Sequence, residues 1–290
     1  MKDFVIVTDS CCDLTDALAK KAELTVIPMV LNISGNEYHN YLDEREISSK
    51  DFYARLRSGE NASTSAVNMD VFTGVFEDIL KQDKDVLYLG VSSGLSSTYH
   101  VSTLVADELS KKYPDSKIYC VDTLAASMGE GLLVYLSALQ KQAGKSIEEV
   151  RDFAENNKLN LCHWFTVDDL NHLKRGGRVS ATTAFVGSLL NIKPILHVDD
   201  EGHLINVGKV RGRKLSVETI FENMKKSAID PSKQIVFISH GDCEEDALTL
   251  KKMVEKEFHP KEIHINTIGP VIGAHSGPGT LALFFLGTHR

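Results

Sequence analysis

The 290-residue sequence contains no apolar run that approaches the roughly 18 residues of a membrane-spanning helix. Its first ten residues, MKDFVIVTDS, turn polar after a few apolar positions, which is too early for a signal peptide. The net charge of −8 also argues against binding to nucleic acid. We therefore expect a soluble, cytoplasmic protein with an ordinary globular core and no nucleic-acid partner.

The sequence also lacks the common motifs for metals, redox chemistry and nucleotides. Its five cysteines are odd in number and form no C-x-x-C pair, so they indicate neither a zinc site nor a disulfide framework, and they favour a reducing compartment. No G-x-G-x-x-G follows the first apolar strand, and no G-x-x-x-x-G-K-[ST] occurs anywhere. We expect no cofactor and no metal ion.

Alternating strand and helix patterns predict an α/β fold. In residues 1–158, short apolar runs alternate with helical periodicities, which is typical of a parallel sheet built from βαβ units. Residues 159–290 begin with another apolar run and include a β-hairpin around Asp199–Gly202. The length suits two domains, and we place the boundary between them near residues 156–160.

Several other segments carry local signals. Residues 25–33, TVIPMVLNI, predict one strand in which Pro28 marks an edge position or a bulge. Residues 35–45 and 58–65 are rich in polar and small side chains and predict loops. Residues 182–190 predict a helix of small side chains.

A glycine- and proline-rich segment near the end of the chain, residues 269–280, predicts a loop that carries His275. Such a density of glycine and proline fixes backbone geometry and allows a partner to approach closely. From the residue alone, His275 is either a structural hydrogen-bonding group or a ligand contact.

Polar side chains follow three predicted strands where each strand ends. They are Thr8-Asp9-Ser10, Ser92–Thr98 and Asp122-Thr123. Ligands of parallel sheets bind outside the carboxyl ends of the strands, so we expect a site at this edge. The hydroxyl-rich segment Ser92–Thr98 also precedes a helix, whose unpaired N–H groups and dipole favour an anion such as a carboxylate. The alternative is that one or two of its serines simply cap the helix.

Basic residues of the second half fall in turns. They are Arg175 and Arg178, Lys193, and Arg211 with Arg213. Guanidinium groups beside glycines suit a carboxylate because they pair with it in a fork geometry. A solvated surface cluster, or ion pairs between the domains, would explain the same pattern.

A serine esterase is the alternative from a different class of function. Gly94-Leu95-Ser96 begins a G-x-S-x-G elbow, and the order Ser96, Asp122, His275 matches the catalytic triad of that class. However, Thr98 stands where the second glycine belongs, and a glycine-rich oxyanion loop is absent. The elbow motif is therefore incomplete, and hydrolysis of a chromogenic short-chain ester would test the esterase alternative.

Seven short motifs occur in order along the chain, namely FVIVTDSCCDL (residues 4–14), STS (63–65), SSGLSSTY (92–99), VDT (121–123), LNHLKRGGRVS (170–180), KPIL (193–196) and GAHSGPGT (273–280). As a set they make the chain resemble the DegV family, the bacterial fatty-acid-binding proteins that act as the lipid-carrying subunit of fatty acid kinase. The resemblance covers essentially the whole chain. It depends on the ordered set, because each motif alone is weak.

The resemblance implies two α/β domains, an N-terminal parallel-sheet domain and a C-terminal mixed-sheet domain, with a long-chain fatty acid bound between them. The acyl chain would lie in an apolar tunnel. Thr64 and Ser96 would bind the carboxylate, with Ser65 in the same motif and His275 beside them. Arg211, in the segment VRGR, would lie near the head group or on a partner surface.

The resemblance also implies a partner. A separate kinase subunit would supply ATP and phosphorylate the bound carboxylate to an acyl phosphate. The chain itself would then be a carrier and not an enzyme on its own, with transient contact to a membrane as a further expectation.

Two positions depart from the family pattern. Ala66-Val67 follow Thr64-Ser65 where members commonly have Gln-Pro, and Ser97 stands where a glycine is common. Neither departure removes an expected contact, although both can alter loop geometry and the acyl chain that is preferred.

Overall fold

In the computed structural model, which describes residues 2–180 and 191–290, the N-terminal part of the chain is built on a parallel four-stranded sheet. Its order is β2-β1-β6-β7, with β1 at Phe4–Asp9, β2 at Thr25–Ile27, β6 at Asp85–Gly90 and β7 at Ile118–Asp122. The predicted βαβ organisation is therefore confirmed. Five helices accompany this sheet, at Asp16–Lys21 (α1), Met69–Leu80 (α3), Thr98–Lys112 (α4), Met128–Gln142 (α5) and Ile147–Asn157 (α6).

A small antiparallel sheet lies beside the first one and replaces two predicted loops. Its central strand β3, Val30–Ile33, pairs with β4, Asn36–His39, and with β5, Ala62–Ser65. The helix α2, Ser49–Arg57, connects β4 to β5. The loop predictions for residues 35–45 and 58–65 were wrong over these strands, because polar and small residues also form short strands when neighbouring strands supply the hydrogen bonds.

The single strand predicted for residues 25–33 was also wrong, because Pro28 divides it. Proline has no N–H to donate to a sheet ladder, and the chain passes from β2 to β3, which belong to different sheets. The next residue, Met29, donates its backbone N–H to the Ser10 side chain at 3.0 Å. Because Pro28 interrupts the strand, Met29 lies at the edge of the sheet where β1 ends.

The C-terminal part is built on a mixed six-stranded sheet of order β10-β9-β8-β13-β11-β12, in which β11 and β12 pair in parallel and the other described neighbours pair antiparallel. The predicted hairpin is confirmed as the antiparallel pair β9 and β10. The strands are β8 at Leu161–Thr166, β9 at Ile192–Val198, β10 at Leu204–Arg211, β11 at Ile235–His240, β12 at Glu262–Thr267 and β13 at Leu281–Leu286. The helices are α7 at Asn171–Arg175, α8 at Arg213–Ser227, α9 at Glu244–Phe258 and α10 at Pro270–Ser276.

The predicted loop over residues 269–280 contains the helix α10, so that part of the prediction was wrong. Pro270 occupies the first turn, where its missing N–H costs nothing, and Gly277 ends the helix with a φ of 77°. His275 is consequently held on a helix and not on a loop. The helix predicted for residues 182–190 lies outside the described residues, and the division into residues 1–158 and 159–290 stays a prediction.

The main core lies between the two large sheets, around α5. Buried side chains from the first sheet, such as Leu89, and from the second, such as Phe165 and Phe284, belong to one apolar cluster with Leu132 and Leu133 of α5. The opposite face of the first sheet packs against α3 and α4 in a second cluster. All five cysteines are free thiols.

The part of the chain that the structure describes lacks two features, a membrane-spanning helix and a metal-binding cluster. None of its helices has both the length and the apolar character needed to cross a membrane. Likewise, residues 2–180 and 191–290 hold no group of His, Cys, Asp and Glu arranged to bind a metal ion.

Candidate functional site

A cavity of about 320 Å³ lies between the two large sheets, next to the small sheet and α10. Its volume falls in the range of small-molecule sites. Most of the wall is apolar, whereas three of the residues predicted to bind a ligand line the same space: Thr64, Ser96 and His275. The structure therefore brings together residues that are far apart in the sequence.

Thr64 reaches the cavity because of the alternation of side chains along β5. Neighbouring residues of a strand point to opposite faces, so Thr64 is partly buried and lines the cavity while Ser65 is exposed. The Thr64 hydroxyl lies 2.8 Å from Nε2 of His275, and either group can donate this hydrogen bond, depending on the tautomer. Ser65 does not reach the cavity.

His275 is held as a neutral imidazole. Burial lowers its pKa to about 4, and the nearby positive charge of Arg178 acts in the same direction. Its Nδ1 lies against Gly176, where a Cβ would come within 2.2 Å of the nitrogen, and it has no hydrogen-bond partner among the described residues. The ring can therefore offer a hydrogen bond, or accept one, without bringing a charge of its own.

Ser96 lies in the turn between β6 and α4, as predicted. Its Oγ accepts a hydrogen bond from the backbone N–H of Thr98 at 3.2 Å and lies 2.9 Å from the Thr98 hydroxyl. The Thr98 hydroxyl in turn accepts from the backbone N–H of Val67 at 3.3 Å. With the Thr98 hydroxyl donating to Ser96, the Ser96 hydroxyl hydrogen is left for an acceptor in the cavity. Both the capping role and the site role of this serine are compatible with one geometry.

Arg178 is a cavity residue that the sequence reasoning noted among the basic turns but did not place in the site. Its guanidinium donates to the carbonyl of Leu95 at 3.0 Å and to that of Gly176. No Asp or Glu of residues 2–180 and 191–290 pairs with it, and burial lowers its pKa below the usual arginine value. A partly buried cation without a carboxylate partner is the strongest electrostatic signal of an anion site in this cavity.

Ser276 is a second residue that was not singled out, although it lies in the quoted motif around His275. It is 6% exposed and lines the cavity, and its Oγ finds no partner within the described part of the chain. Unpaired buried hydroxyls are costly. Ser276 therefore adds a hydrogen-bonding group next to His275.

The two departures from the family pattern also lie in the cavity wall. Ala66 and Ser97 are both lining residues. Ser97 precedes α4 without making a side-chain cap. These positions are therefore placed to influence which ligand fits.

The other predicted basic residues lie away from the cavity. Arg211 is exposed at the end of β10 and does not line it. Lys193 pairs with Asp168 at 2.6 Å, and Arg213 pairs with Asp246 at 2.8 Å. Both ion pairs lie within residues 159–290, so they account for these two cations without the ion pairs between the domains that the sequence left open.

The polar residues at the ends of β1 and β7 serve the backbone. Asp9 accepts from the Tyr88 hydroxyl at 2.7 Å and from the backbone N–H of Val91 at 3.1 Å. Asp122 accepts from the backbone N–H groups of Ser93 and Leu124 at 3.1 and 3.0 Å. They fix the loops of the predicted sheet edge, and only the hydroxyl-rich segment among the three contributes lining residues.

The arrangement does not form the hydrogen-bonded relay of a serine esterase. His275 bonds to Thr64, Ser96 bonds to Thr98, and the Asp122 carboxylate is used by backbone N–H groups. In such a relay the serine hydroxyl hydrogen-bonds to one ring nitrogen of the histidine, and the carboxylate hydrogen-bonds to the other. These three residues do not show those contacts.

Comparisons with known proteins agree with the motifs. A family model described as an uncharacterised protein of the DegV family matches residues 3–288. A DegV domain-containing protein of Clostridium perfringens is 49% identical over 287 residues, which cover 99% of this chain and 98% of that protein. Another such protein, from Streptococcus pyogenes, is 36% identical over 98% of each chain.

Solved structures show the same fold. A structure that describes fatty acid binding of a DegV family protein from Thermus thermophilus has a TM-score of 0.89 and 30% identity, covering 99% of this chain and 100% of that one. A DegV lipid binding protein from Thermotoga maritima has a TM-score of 0.87 and 29% identity, with 99% of each chain covered.

Proposed function

This chain belongs to the DegV family, and from that membership and the geometry of its cavity we propose that it binds a long-chain fatty acid between its two large sheets. The proposal depends on one observation, namely that a mostly apolar cavity has polar side chains at one end. Structures of relatives from Thermus thermophilus and Bacillus subtilis are described as fatty acid binding. This chain offers polar and positively charged side chains for a carboxylate and an apolar wall for an acyl chain, which are the two features that a fatty acid requires.

The carboxylate would lie at the polar end. The hydroxyls of Thr64 and Ser96 would donate to it, and His275 would orient Thr64 through their 2.8 Å contact. Arg178 would supply the positive charge, since no described carboxylate neutralises it. A buried carboxylate without partners is very costly, so this set would be what makes burial of the head group possible.

The acyl chain would occupy the apolar part of the cavity, along Phe165 and Phe284. Each buried CH₂ contributes about 0.8 kcal/mol, so the chain supplies most of the affinity and the head group supplies orientation. Ala66 and Ser97, in the wall, would tune the fit.

We further propose that the bound acid is presented to a separate ATP-dependent kinase subunit, which phosphorylates the carboxylate to an acyl phosphate. In that step a carboxylate oxygen attacks the γ-phosphorus of ATP, the bond to the bridging oxygen breaks, and ADP leaves. The sequence supports a separate catalyst because it has neither of the common nucleotide-binding motifs. Arg211 would belong to a partner surface rather than to the head group, since it is exposed and outside the cavity wall. A cytoplasmic location and transient membrane contact belong to the same proposal.

The first experiment is native mass spectrometry of the protein purified from a bacterial host, with solvent extraction and identification of what is released. We expect a stoichiometric adduct of fatty-acid mass. An empty protein that also fails to take up added octadecanoic and octadecenoic acid would overturn the proposal.

A pair of variants tests the carboxylate site. Thr64→Val and Ser96→Ala each remove a hydroxyl of the polar end, and we expect the double variant to bind octadecanoic acid about tenfold or more weakly. Ser65→Ala is the matched control, since Ser65 neighbours Thr64 on β5 but is exposed. Unchanged affinity in the double variant, with the fold intact by circular dichroism, would contradict these roles.

A further inference from the structure

A buried carboxyl group outside the cavity joins the turn after β1 to α5, β12 and α10. Asp13, in that turn, is 2% exposed and is not a lining residue. Its Oδ2 accepts from the hydroxyl of Ser127, directly before α5, at 2.6 Å, and its Oδ1 accepts from the backbone N–H of Gly269 at 2.9 Å. Its backbone carbonyl accepts from the side chain of Asn266, on β12, at 2.7 Å. Asp13 therefore connects the first sheet to segments of the chain that surround the cavity.

The hydrogen bond from Gly269 fixes the start of α10. Gly269 directly precedes this helix, and a Cβ there would lie 2.7 Å from Oδ1 of Asp13, so the close contact requires a glycine. The helix supplies four residues to the cavity wall, namely Val271, Ile272, His275 and Ser276. A displacement of Gly269 would therefore move part of that wall, together with the imidazole at the polar end.

The hydroxyl that donates to Asp13 is held by an unusual backbone conformation. Ser127 has a φ of 54° and a ψ of −151°, a combination that residues other than glycine rarely adopt. Although Ser127 precedes α5, its side chain does not cap that helix. Its hydroxyl is bonded to Asp13 instead and lies 3.0 Å from the hydroxyl of Ser239, on β11. Ser127 is also a lining residue, so this chain of hydrogen bonds runs beside the cavity.

Asp13 titrates near neutral pH. Burial raises its pKa to about 7, its two hydrogen bonds act in the opposite direction, and the buried carboxyl of Asp9 adds to the rise. The other titratable groups that face it are those of Cys11, Cys12, Tyr53 and Glu130. Burial raises the pKa of each of these four well above its usual value, so the thiols and the phenol stay neutral. No lysine, arginine or histidine among the described residues forms an ion pair with Asp13.

The two protonation states of Asp13 hold α10 differently. The ionised carboxylate accepts both hydrogen bonds, and both are charge-assisted. Because the N–H of Gly269 can only donate, an added hydrogen lies on Oδ2 and is donated to Ser127, whose own hydroxyl then turns to Ser239. Oδ1 becomes a neutral acceptor, and its bond to Gly269 weakens. Protonation therefore loosens the link between Asp13 and the start of α10.

We propose that Asp13 is a positioning residue whose ionised carboxylate holds α10 in the arrangement that binds the ligand, so that a fatty acid binds more weakly when Asp13 is protonated. This inference rests on the proposed function, since it assumes that the ligand contacts α10. Binding then favours the ionised form and releases a proton from the protein. The difference between a charge-assisted and a neutral hydrogen bond corresponds to about a fivefold change in affinity.

The test measures affinity between pH 6 and pH 8 on the delipidated full-length protein by fluorescence displacement. Octadecanoic acid is compared with octadecanol, because the alcohol has no head group that titrates. We expect both ligands to bind about fivefold more weakly at pH 6 than at pH 8, with the change centred near pH 7. His275, whose pKa is lowered to about 4 by burial and by Arg178, does not contribute to this change.

The variant Asp13→Asn removes the titration and keeps an acceptor for the N–H of Gly269. We expect it to bind both ligands about as weakly as the natural protein does at pH 6, with no change up to pH 8. Glu130→Gln is the matched control, since Glu130 is also a buried carboxyl group but is bonded to Thr8 and not to α10. It should retain the pH dependence.

A second measurement needs no variant and therefore does not depend on whether Asp13→Asn folds. Calorimetry at pH 7 in two buffers of different ionisation enthalpy counts the protons released when octadecanol binds. We expect the natural protein to release a fraction of a proton for each ligand bound. A merely structural role for Asp13 would release none.

The outcomes separate the two proposals. The proposal for Asp13 is overturned if the affinity for octadecanol is the same at pH 6 and pH 8, or if no proton is released. A pH dependence that persists in Asp13→Asn overturns it as well, because another group then titrates. If octadecanoic acid binds at none of these pH values, the proposed function itself fails.

Discussion

At the scale of single residues, one of the described side chains that line the cavity carries a permanent charge. Arg178 is anchored by two backbone carbonyls, and His275 is neutral because burial and Arg178 lower its pKa to about 4. The net effect is a positive potential in an apolar space. Such a potential distinguishes a fatty acid from an uncharged lipid of the same length.

Arg178→Gln tests this distinction. We expect the dissociation constant for octadecanoic acid to rise about tenfold or more, because a charge-assisted interaction is lost, while binding of octadecanol stays unchanged. Arg175→Gln is the control, since Arg175 lies on the same basic turn but is exposed. Equal weakening for the acid and the alcohol, measured by fluorescence displacement, would assign Arg178 a structural role only.

A second group of buried residues surrounds an ionisable carboxyl group, that of Glu130. Glu130, on α5, is fully buried, and its Oε1 accepts from the Thr8 hydroxyl at 3.0 Å while Oε2 has no partner among the described residues. Burial, together with the nearby Asp9, raises its pKa well above the usual value. The folded protein therefore holds a proton on this carboxyl at pH values where the same group in the unfolded chain is ionised.

Glu130→Gln should change how stability depends on pH. In the unfolded chain Glu130 has a pKa of about 4.3, so between that value and its raised folded pKa the folded state binds the extra proton. Stability from this group is then present at low pH and is lost as pH rises. Glutamine keeps the acceptor for Thr8 and removes the titration, so the stability of the variant relative to the natural protein should increase as the pH rises above about 4. Urea midpoints that differ by a constant amount across this range would contradict the assignment.

At the scale of elements, both large sheets pack on the helix α5. Glycines in this helix allow neighbouring segments to lie close to its backbone. Gly131 lies against the backbone of the turn after β1, where an added Cβ would come within 2.4 Å of the Cys12 carbonyl. Backbone cannot move aside as a flexible side chain can. The composition of this helix is therefore set by its neighbours rather than by helix propensity.

A pair of glycine substitutions separates packing from propensity. Gly131→Ala should lower the free energy of unfolding by about 1–3 kcal/mol, because overpacking forces the turn or the helix to shift. Gly74→Ala, on the exposed side of α3 with nothing within 4 Å of its Cβ, should raise it by up to about 1 kcal/mol. Urea denaturation of both variants measures the difference, and similar values for the two would refute the packing argument.

At the scale of the whole molecule, the two large sheets are joined by contacts beside the cavity. Asp13 accepts from the Ser127 hydroxyl at 2.6 Å and from the backbone N–H of Gly269 at 2.9 Å. Asn266 donates to the Asp13 carbonyl at 2.7 Å, and Ser127 lies 3.0 Å from Ser239. Together with the shared core around α5, these bonds make the cavity wall continuous across both parts.

Because the cavity wall is continuous, we expect the protein to unfold in a single transition. A bound ligand should shift the midpoint temperature of that whole transition. Fatty acid at 100 times its dissociation constant should stabilise the folded state by about 2.7 kcal/mol if it binds only that state. Differential scanning calorimetry of delipidated and loaded protein measures the shift. Two transitions, of which only one responds to the ligand, would show that the parts unfold independently.

Elements whose signals are local could be predicted from neighbouring residues alone. Strand β6, the hydroxyl-rich turn after it and the hairpin β9–β10 follow from apolar periodicity and turn residues, and the structure confirms them. The ordered motifs determined the family, which the comparisons confirm. Periodicity and motif order are properties of neighbouring residues, so they can be read without the fold.

Which of these residues come into contact depends on how the chain packs in three dimensions. Thr64 and His275 are 211 positions apart, and their contact depends on α10, which forms where glycine and proline content predicted a loop. Side chains alternate along β5, so Thr64 faces the cavity and Ser65 faces solvent. Arg178 lies at the cavity because its basic turn packs against Leu95. Such contacts depend on how sheets and helices pack, and the energy of packing belongs to surfaces that no single segment contains.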